Sequence, residues 1–478
     1  MKYKIITYSK VSYVAIALVI ASICALLFMA FQDHYFWFDE SGQFFMAKGL
    51  NHYSEPYSSP GSLTDVIENN RGYNLDPGGF TILLHWWSFI SNNDVFLKIL
   101  PLLFFFSCSF FIYKICRKEE LCPSYSLFIA LLIFIIPQFF GMSYFLRAYS
   151  MEMCGVAIGV YLLYLLREKE SIPFIVLISL ALSVFCTSRY GFILAAFAIS
   201  LRVLYRFYNT NRWSSQLVKA VIYGLPLLIT VGMVFFGMMR YQSPDVRNIG
   251  YAQYILGNPI ILIKNPLSLL FYYVAGLFVY KKIKKQEVSE IHIDSIIIAS
   301  VFFLFSVIGK YPWDLIRTMS ATFILMYAAV IETFKLIKFN ERYFCLLTVA
   351  SLLFIGVCHT RNMYLDHANS SEMVNELVDY LKGNNDGSKI FIELHYNPDL
   401  RYQYEFGSLK GRAKEDKYPT HFSFQKNQSQ VKGSKRINKE IVNDEYKYVL
   451  AGDNVDGAML YPEKYMRYGS YKYFYIRK

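Results

Sequence analysis

No two cysteines of this chain stand at Cys-x-x-Cys spacing, and the last of its 8 cysteines is Cys358 in a chain of 478 residues. Cys24, Cys108, Cys116, Cys122, Cys154, Cys186, Cys345 and Cys358 all fall in apolar blocks or basic loops. A disulfide framework and a zinc ribbon are therefore not expected. Charge is scarce too, at 18% of residues against 55% hydrophobic and 18% aromatic, a balance too apolar for a soluble enzyme of this size. The net charge of +12 does not read as a nucleic-acid partner. Its lysines and arginines gather at one end of successive apolar blocks, as cytoplasmic loops do. The first block, Val11 to Phe31, lacks a small-residue cleavage site, because Met29-Ala30-Phe31 runs straight into Gln32-Asp33-His34. It reads as a retained helix rather than a removed signal peptide.

What is present is a series of apolar blocks of about 16–24 residues, each long enough to cross a hydrocarbon core of about 30 Å as a helix. With Lys2, Lys4 and Lys10 inside, the chain threads as about 11 transmembrane helices near 11–31, 95–116, 124–145, 149–166, 172–187, 191–207, 217–238, 260–280, 292–309, 315–335 and 342–360. The N-terminus is then cytoplasmic and the C-terminus extracytoplasmic. The outer loop 32–94 contains Gly78–Ser91, too short to cross and read as an interfacial helix with Trp86 and Trp87 at headgroup depth. Residues 1–361 form the membrane domain. Residues 362–478 lack an apolar block and read as a small extracytoplasmic α+β domain. Its helix is expected over Ser371–Lys382, its strands over Lys389–Leu394, Tyr446–Ala451 and Tyr471–Ile476, and a mobile loop over Lys410–Lys439.

Outside the first span stands Trp37-Phe38-Asp39-Glu40-Ser41, and later Asn74-Leu75-Asp76-Pro77-Gly78-Gly79. Asp39 and Glu40 are either solvated loop residues or, for one of them, a general base or metal ligand. Asp76 reads as a turn before a helix and His85 as an interfacial side chain, with substrate contact a weaker alternative for both. Arg147, Arg189, Lys310 and Arg317 stand at the outer ends of four spans, against the positive-inside trend. Such a group suits a phosphate or diphosphate, since guanidinium meets phosphate oxygens in a bidentate way; the bland alternative is that each anchors a helix end or pairs with an acid. Glu152 is expected to face the bundle interior and to pair with Arg147, a pore or relay role being the alternative. Basic residues at the inner ends carry no functional signal of their own.

The order of these features resembles the GT-C fold glycosyltransferases, specifically bacterial relatives of the protein mannosyltransferases and of the lipid A aminoarabinose transferase. One span is followed by Phe38-Asp39-Glu40, then Pro77-Gly78-Gly79-Phe80-Thr81-Ile82-Leu83-Leu84-His85-Trp86-Trp87, then Phe96-Leu97-Lys98-Ile99-Leu100-Pro101. Tyr144-Phe145-Leu146-Arg147-Ala148-Tyr149 is similar to the family's Ser-Arg-Glu-Ala-Arg-x-Tyr stretch, Thr187-Ser188-Arg189-Tyr190 to its Thr-Lys-Tyr, and Arg317 to an arginine opening a late helix. Asp76-Pro77-Gly78 stands where the family has His-Pro-Pro, and Phe145-Leu146 where it has Glu-Ala.

The resemblance, over roughly residues 10–360, implies transfer of a sugar from a polyprenyl-phosphate-linked donor to a glycan, lipid or protein acceptor at the outer face of the bacterial inner membrane. Asp39, with Glu40 beside it, would be catalytic. Arg147, Arg189, Lys310 and Arg317 would hold the lipid phosphate, and Asp76, His85, Tyr149, Glu152 and Tyr190 would line the substrate. No cofactor is fixed by this reading, and a divalent metal is left open. A transporter or flippase of lipid-linked sugars is the first rival, but no paired repeat with matching broken helices is present. A polysaccharide polymerase would place its large functional loop between later spans.

Overall fold

The computed structural model describes residues 10–32, 36, 38–50, 61–73, 76–208, 213–242, 254–314, 318–336 and 341–359, and beyond them five strands. The chain divides into two compact units, one of Met1–Phe28, Asn70–Leu83 and Lys98–His359, the other of Met29–Asn69, Leu84–Leu97 and Thr360–Lys478.

The helices run in chain order as α1 (Lys10–Gln32), α2 (Phe38–Ala47), α3 (Leu63–Tyr73), α4 (Gly79–Trp87), α5 (Asp94–Lys118), α6 (Pro123–Ile135), α7 (Pro137–Tyr144), α8 (Tyr149–Glu168) and α9 (Ile172–Cys186). They continue as α10 (Tyr190–Tyr208), α11 (Trp213–Gly237), α12 (Ile261–Lys264), α13 (Pro266–Ile283), α14 (Glu290–Val307), α15 (Met319–Thr322), α16 (Ile324–Leu336) and α17 (Glu341–Phe354). Every apolar block read from the sequence contains a helix. Among the described residues, 7 stretches suit a membrane crossing by length and composition, or up to 8 when a bent pair is taken as one: Tyr13–Phe31, Asp94–Lys118, Tyr149–Glu168, Tyr190–Tyr208, Ser215–Tyr241, Glu290–Val307 and Met319–Leu336, with α6 and α7 as the pair.

The block at 124–145 is not one rod, because α6 and α7 meet at 80°. Pro137 causes the break: it pushes the preceding residue out of the helical region, and Ile136 stands at φ −85°, ψ 119°. The block at 260–280 starts its main helix only at Pro266, where the Asn265 side chain accepts from the Leu267 N–H at 2.9 Å. The helix in Gly78–Ser91 has 9 residues, a rise of about 14 Å that cannot span a bilayer.

Within the first unit α8 is the most enclosed helix, packed by α9, α10 and α15, while α11 leans on α9 and turns Leu217, Val221, Leu228 and Phe236 outward. Ser179 and Ser200 tie α11 down through the Tyr223 carbonyl and hydroxyl, at 2.5 and 2.8 Å. In the second unit the C-terminal strands β1 (Lys389–Ile392), β2 (Phe422–Phe424), β3 (Tyr446–Gly452), β4 (Glu463–Tyr468) and β5 (Lys472–Ile476) form one sheet in the order β2-β1-β3-β5-β4. β1 pairs parallel with β2 and β3, whereas β5 pairs antiparallel with β3 and β4. β2 falls inside the stretch read as a mobile loop, so that expectation is corrected for Phe422–Phe424: three residues with two phenylalanines suffice to extend the sheet edge. The helix expected over Ser371–Lys382 lies outside the described residues.

Candidate active site

Asp39 and Glu40 open α2, where the free N–H groups of a first helical turn favour carboxylates. Their environments differ. Glu40 is 2% exposed, and burial continues without interruption through Lys48, so α2 is enclosed on all sides; Asp39 is half-exposed. The Ser41 hydroxyl donates to the Phe36 carbonyl at 3.2 Å, fixing the entry to the helix. At the far end His85 Nδ1 meets the Ala47 carbonyl at 2.7 Å, and Lys48 Nζ donates to the Ser88 carbonyl at 3.1 Å. His85 is thus engaged by backbone and packed edge-to-face on Phe89 at 4.7 Å.

The first unit holds a second, denser group. Arg189, in the short connection before α10, donates from Nε to Asp76 Oδ1 at 3.2 Å and from Nη1 to Glu152 Oε2 at 2.9 Å and Ser320 Oγ at 3.0 Å. The Ser320 hydroxyl donates on to the same Glu152 oxygen. The Tyr149 ring lies under the guanidinium at 4.2 Å, a cation–π contact. Arg147 Nη2 faces Asp76 Oδ2 at 3.7 Å. All four charged residues are buried, with Glu152 at 0% exposure. Burial disfavours the charge on Arg189, yet the Glu152 and Asp76 carboxylates outweigh it and hold its pKa above the usual arginine value. Burial likewise pushes the Tyr311 phenol up.

Local sequence explains the placement. Gly78, at φ +99°, turns the chain after Asp76. Asn70 Nδ2 donates to the Asp76 carbonyl at 2.9 Å and Asn70 Oδ1 accepts from the Thr81 hydroxyl at 2.7 Å, clamping that turn. Gly79 N–H donates to the Thr187 carbonyl at 2.8 Å, and a Cβ at Gly79 would lie 2.7 Å from that oxygen, so only glycine admits the approach. Gly191 lets Glu152 and Tyr311 close over it in the same way, with the tyrosine hydroxyl 2.6 Å from where a Cβ would stand. The elbow after α7, closed by Arg147 N–H to the Phe145 carbonyl at 2.6 Å, delivers Arg147.

Of the cations read from sequence, Arg147 and Arg189 therefore come together, sharing Asp76. Glu152 pairs with Arg189 and not with Arg147 as expected, since Arg147 sits on the elbow ahead of α8 and meets Asp76 there. Lys310 is exposed, Tyr190 is half-buried at the start of α10, and Arg317 lies outside the described residues. Among the described residues no group of three or more His, Cys, Asp or Glu side chains is placed to hold a metal ion, so no residue is assigned to one.

The opposite ends of the same helices carry another network. Glu290 accepts from Arg202 at 2.6 Å and Arg206 at 3.1 Å and faces Arg167 at 3.1 Å, Arg202 also reaches Asp294 at 2.7 Å, and Lys281 pairs with Glu332. Basic residues that sequence position alone made uninformative thus lock five helices at that end.

No protein-family model and no curated protein sequence matches the chain. Among solved structures it is similar to the oligosaccharyltransferase of Archaeoglobus fulgidus, crystallised in complex with zinc and sulfate. The identity is 13% and the TM-score 0.50, over 96% of this chain and 72% of that one. At that identity the likeness speaks to architecture alone. The chain has the fold of the GT-C membrane glycosyltransferases.

Proposed function

We propose that the chain is a glycosyltransferase of the bacterial inner membrane that moves a sugar from a polyprenyl-phosphate-linked donor to a cell-envelope acceptor at the outer face. The observation that carries this reading is the contrast within the first turn of α2: a half-exposed Asp39 beside a buried Glu40. An acid that must take a proton from an acceptor hydroxyl has to be reachable, and Asp39 is the reachable one. As the hydroxyl oxygen attacks the anomeric carbon, its proton passes to Asp39 and the bond to the donor phosphate breaks with inversion.

Arg147 and Arg189 stabilise the negative charge that grows on the departing lipid phosphate. Both are already balanced by Asp76 and Glu152, so the phosphate exchanges with a carboxylate instead of meeting a bare cation. Lys310, exposed beside the half-buried Tyr311, and Arg317 are further cations for the same phosphate. Tyr149 and Tyr190 line the approach, and the C-terminal sheet binds the acceptor.

The test is transfer from radiolabelled polyprenyl-phosphate hexoses and pentoses by the purified protein in lipid nanodiscs, beside Asp39→Asn. The expected result is transfer by the parent and a loss of at least a thousandfold in the variant, of the order general-base removal produces. Equal rates in parent and variant would remove Asp39 from the mechanism.

A further inference from the structure

A helix ends with carbonyls that its own turns cannot satisfy, and each needs a partner when buried. At the end of α2, Phe44 O accepts from Lys48 N–H at 3.0 Å, Phe45 O from Leu50 N–H at 2.9 Å, and Met46 O from Gly49 N–H at 3.0 Å. Gly49 stands at φ +68°, and the latter two bonds are the pair by which a left-handed glycine closes a helix. Among the described residues no backbone N–H takes the Ala47 carbonyl; His85 Nδ1 does, at 2.7 Å. A carbonyl only accepts, so Nδ1 carries the proton.

The end of α4 is finished in the same manner. Leu84 O accepts from Ser88 N–H at 2.8 Å, Trp86 O from Phe89 N–H at 3.2 Å, and Trp87 O from Ile90 N–H at 3.1 Å. His85 O takes the Ser88 hydroxyl at 2.8 Å. The carbonyl left over is Ser88 O, and Lys48 Nζ donates to it at 3.1 Å. Among the described residues each helix therefore leaves one terminal carbonyl without a partner from its own end, and each is filled by a side chain from the end of the other. A cation is also the charge that a helix C-terminus attracts.

We infer that Lys48 and His85 are positioning residues for the acid at the head of α2. The crossed caps grip that helix at its tail, about 13 Å of helical rise from the half-exposed Asp39. The inference rests on the reading of Asp39 as the base. A lysine 5% exposed is an expensive way to pack a corner, since an apolar side chain would fill it without desolvating an ammonium. What the ammonium adds is direction.

The test joins two measurements on the full-length protein in nanodiscs, with Lys48→Met, His85→Phe and His85→Asn. Amide hydrogen exchange over residues 40–48 should quicken roughly five- to tenfold in Lys48→Met and His85→Phe, the scale of one lost capping bond, with α8 unchanged. Transfer from the radiolabelled polyprenyl-phosphate sugar that the parent uses should lose about as much in kcat, with the donor KM unmoved. His85→Asn, whose side-chain N–H can stand in for Nδ1, should restore both.

Unchanged exchange in Lys48→Met and His85→Phe would overturn the proposal. So would quickened exchange with undiminished kcat in a preparation where Asp39→Asn is dead. Should Asp39→Asn transfer as well as the parent, or the parent use none of the sugars, the proposal falls together with the reading beneath it. The exchange data would then still report whether the caps hold the helix.

Discussion

Arg189 has two carboxylates, a hydroxyl and a ring for one positive charge, and Arg147 has a share in one of those carboxylates. Two arginines against two acids make the cluster neutral, which is how it tolerates burial at this depth. Removing one partner breaks that balance. Arg189→Ala leaves Glu152 buried beside Ser320 alone, a loss of about 3–5 kcal/mol, to be read as a drop in apparent Tm in detergent. Glu152→Gln keeps an acceptor for Ser320 and should cost less than Arg189→Ala. A drop no larger in Arg189→Ala than in Glu152→Gln would show that the pair does not bear on stability.

The residues of this cluster were legible in the sequence as types, because charged side chains at the ends of apolar blocks stand out. Their partnership was not, since Asp76 and Arg189 are 113 positions apart and Glu152 and Ser320 168. Nearness in sequence pointed Glu152 at Arg147 instead. The elbow between α7 and α8, where Phe145 leaves the helical region at φ −62°, ψ 130°, sends Arg147 elsewhere.

Helices crossing the apolar blocks could be read from composition, but α2 and α3 could not, since both lie in what reads as a polar outer loop. For α3 a local signal existed: Ser62 and Asp65 form a reciprocal cap, with Ser62 N–H donating to Asp65 Oδ2 at 2.6 Å and Asp65 N–H to Ser62 Oγ at 3.4 Å. For α2 the decisive partners come from α4, and no window on residues 38–47 contains them.

The corner between those two helices has its own pH signature. Burial pulls the Lys48 pKa down to about 8 from the usual 10.5. The folded protein therefore gives up this proton before the unfolded chain does, and stability rises with pH between those two values, the penalty of the buried charge being fully present below about 8. Thermal unfolding from pH 7 to 10.5 should show the parent gaining Tm relative to Lys48→Met across that window. Parallel curves would place the ammonium in contact with water.

At the scale of the chain, the first unit sorts its charges to two ends of the same helices. Tyr149, Glu152, Arg189, Tyr311 and Ser320 stand at one end of α8, α10, α14 and α15, and Arg167, Arg206, Glu290 and Glu332 at the other end of α8, α10, α14 and α16. The proposed orientation puts the first group at the outer face. A cysteine at Lys310 should then react with a membrane-impermeant maleimide in intact spheroplasts, and one at Lys285 only after lysis, each read against the parent background. The reverse pattern would invert the topology. That the chain is helical, membrane-bound and carries this fold followed from periodicity, apolarity and motif order; how many blocks cross did not, because several helices run short of a full bilayer.

That shortness has a consequence for the lipid. Glu152 and Arg167 bracket α8 with about 22 Å of rise between them, and α9, at 15 residues, rises about as much. α8 is enclosed by its neighbours, so in the proposed threading it is α9, with Leu177, Leu180 and Val184 turned outward, against which a hydrocarbon layer of about 30 Å cannot sit flush, and there the leaflets would pinch toward the protein. In a thinned annulus a polyprenyl chain's phosphate rides closer to the bilayer midplane than its neighbours' headgroups do. Under the proposed function, the depth of Arg147 and Arg189 would then act as a gauge: membrane thickness, set by acyl-chain length, would tune how readily the donor is engaged without any change in the protein's own side chains.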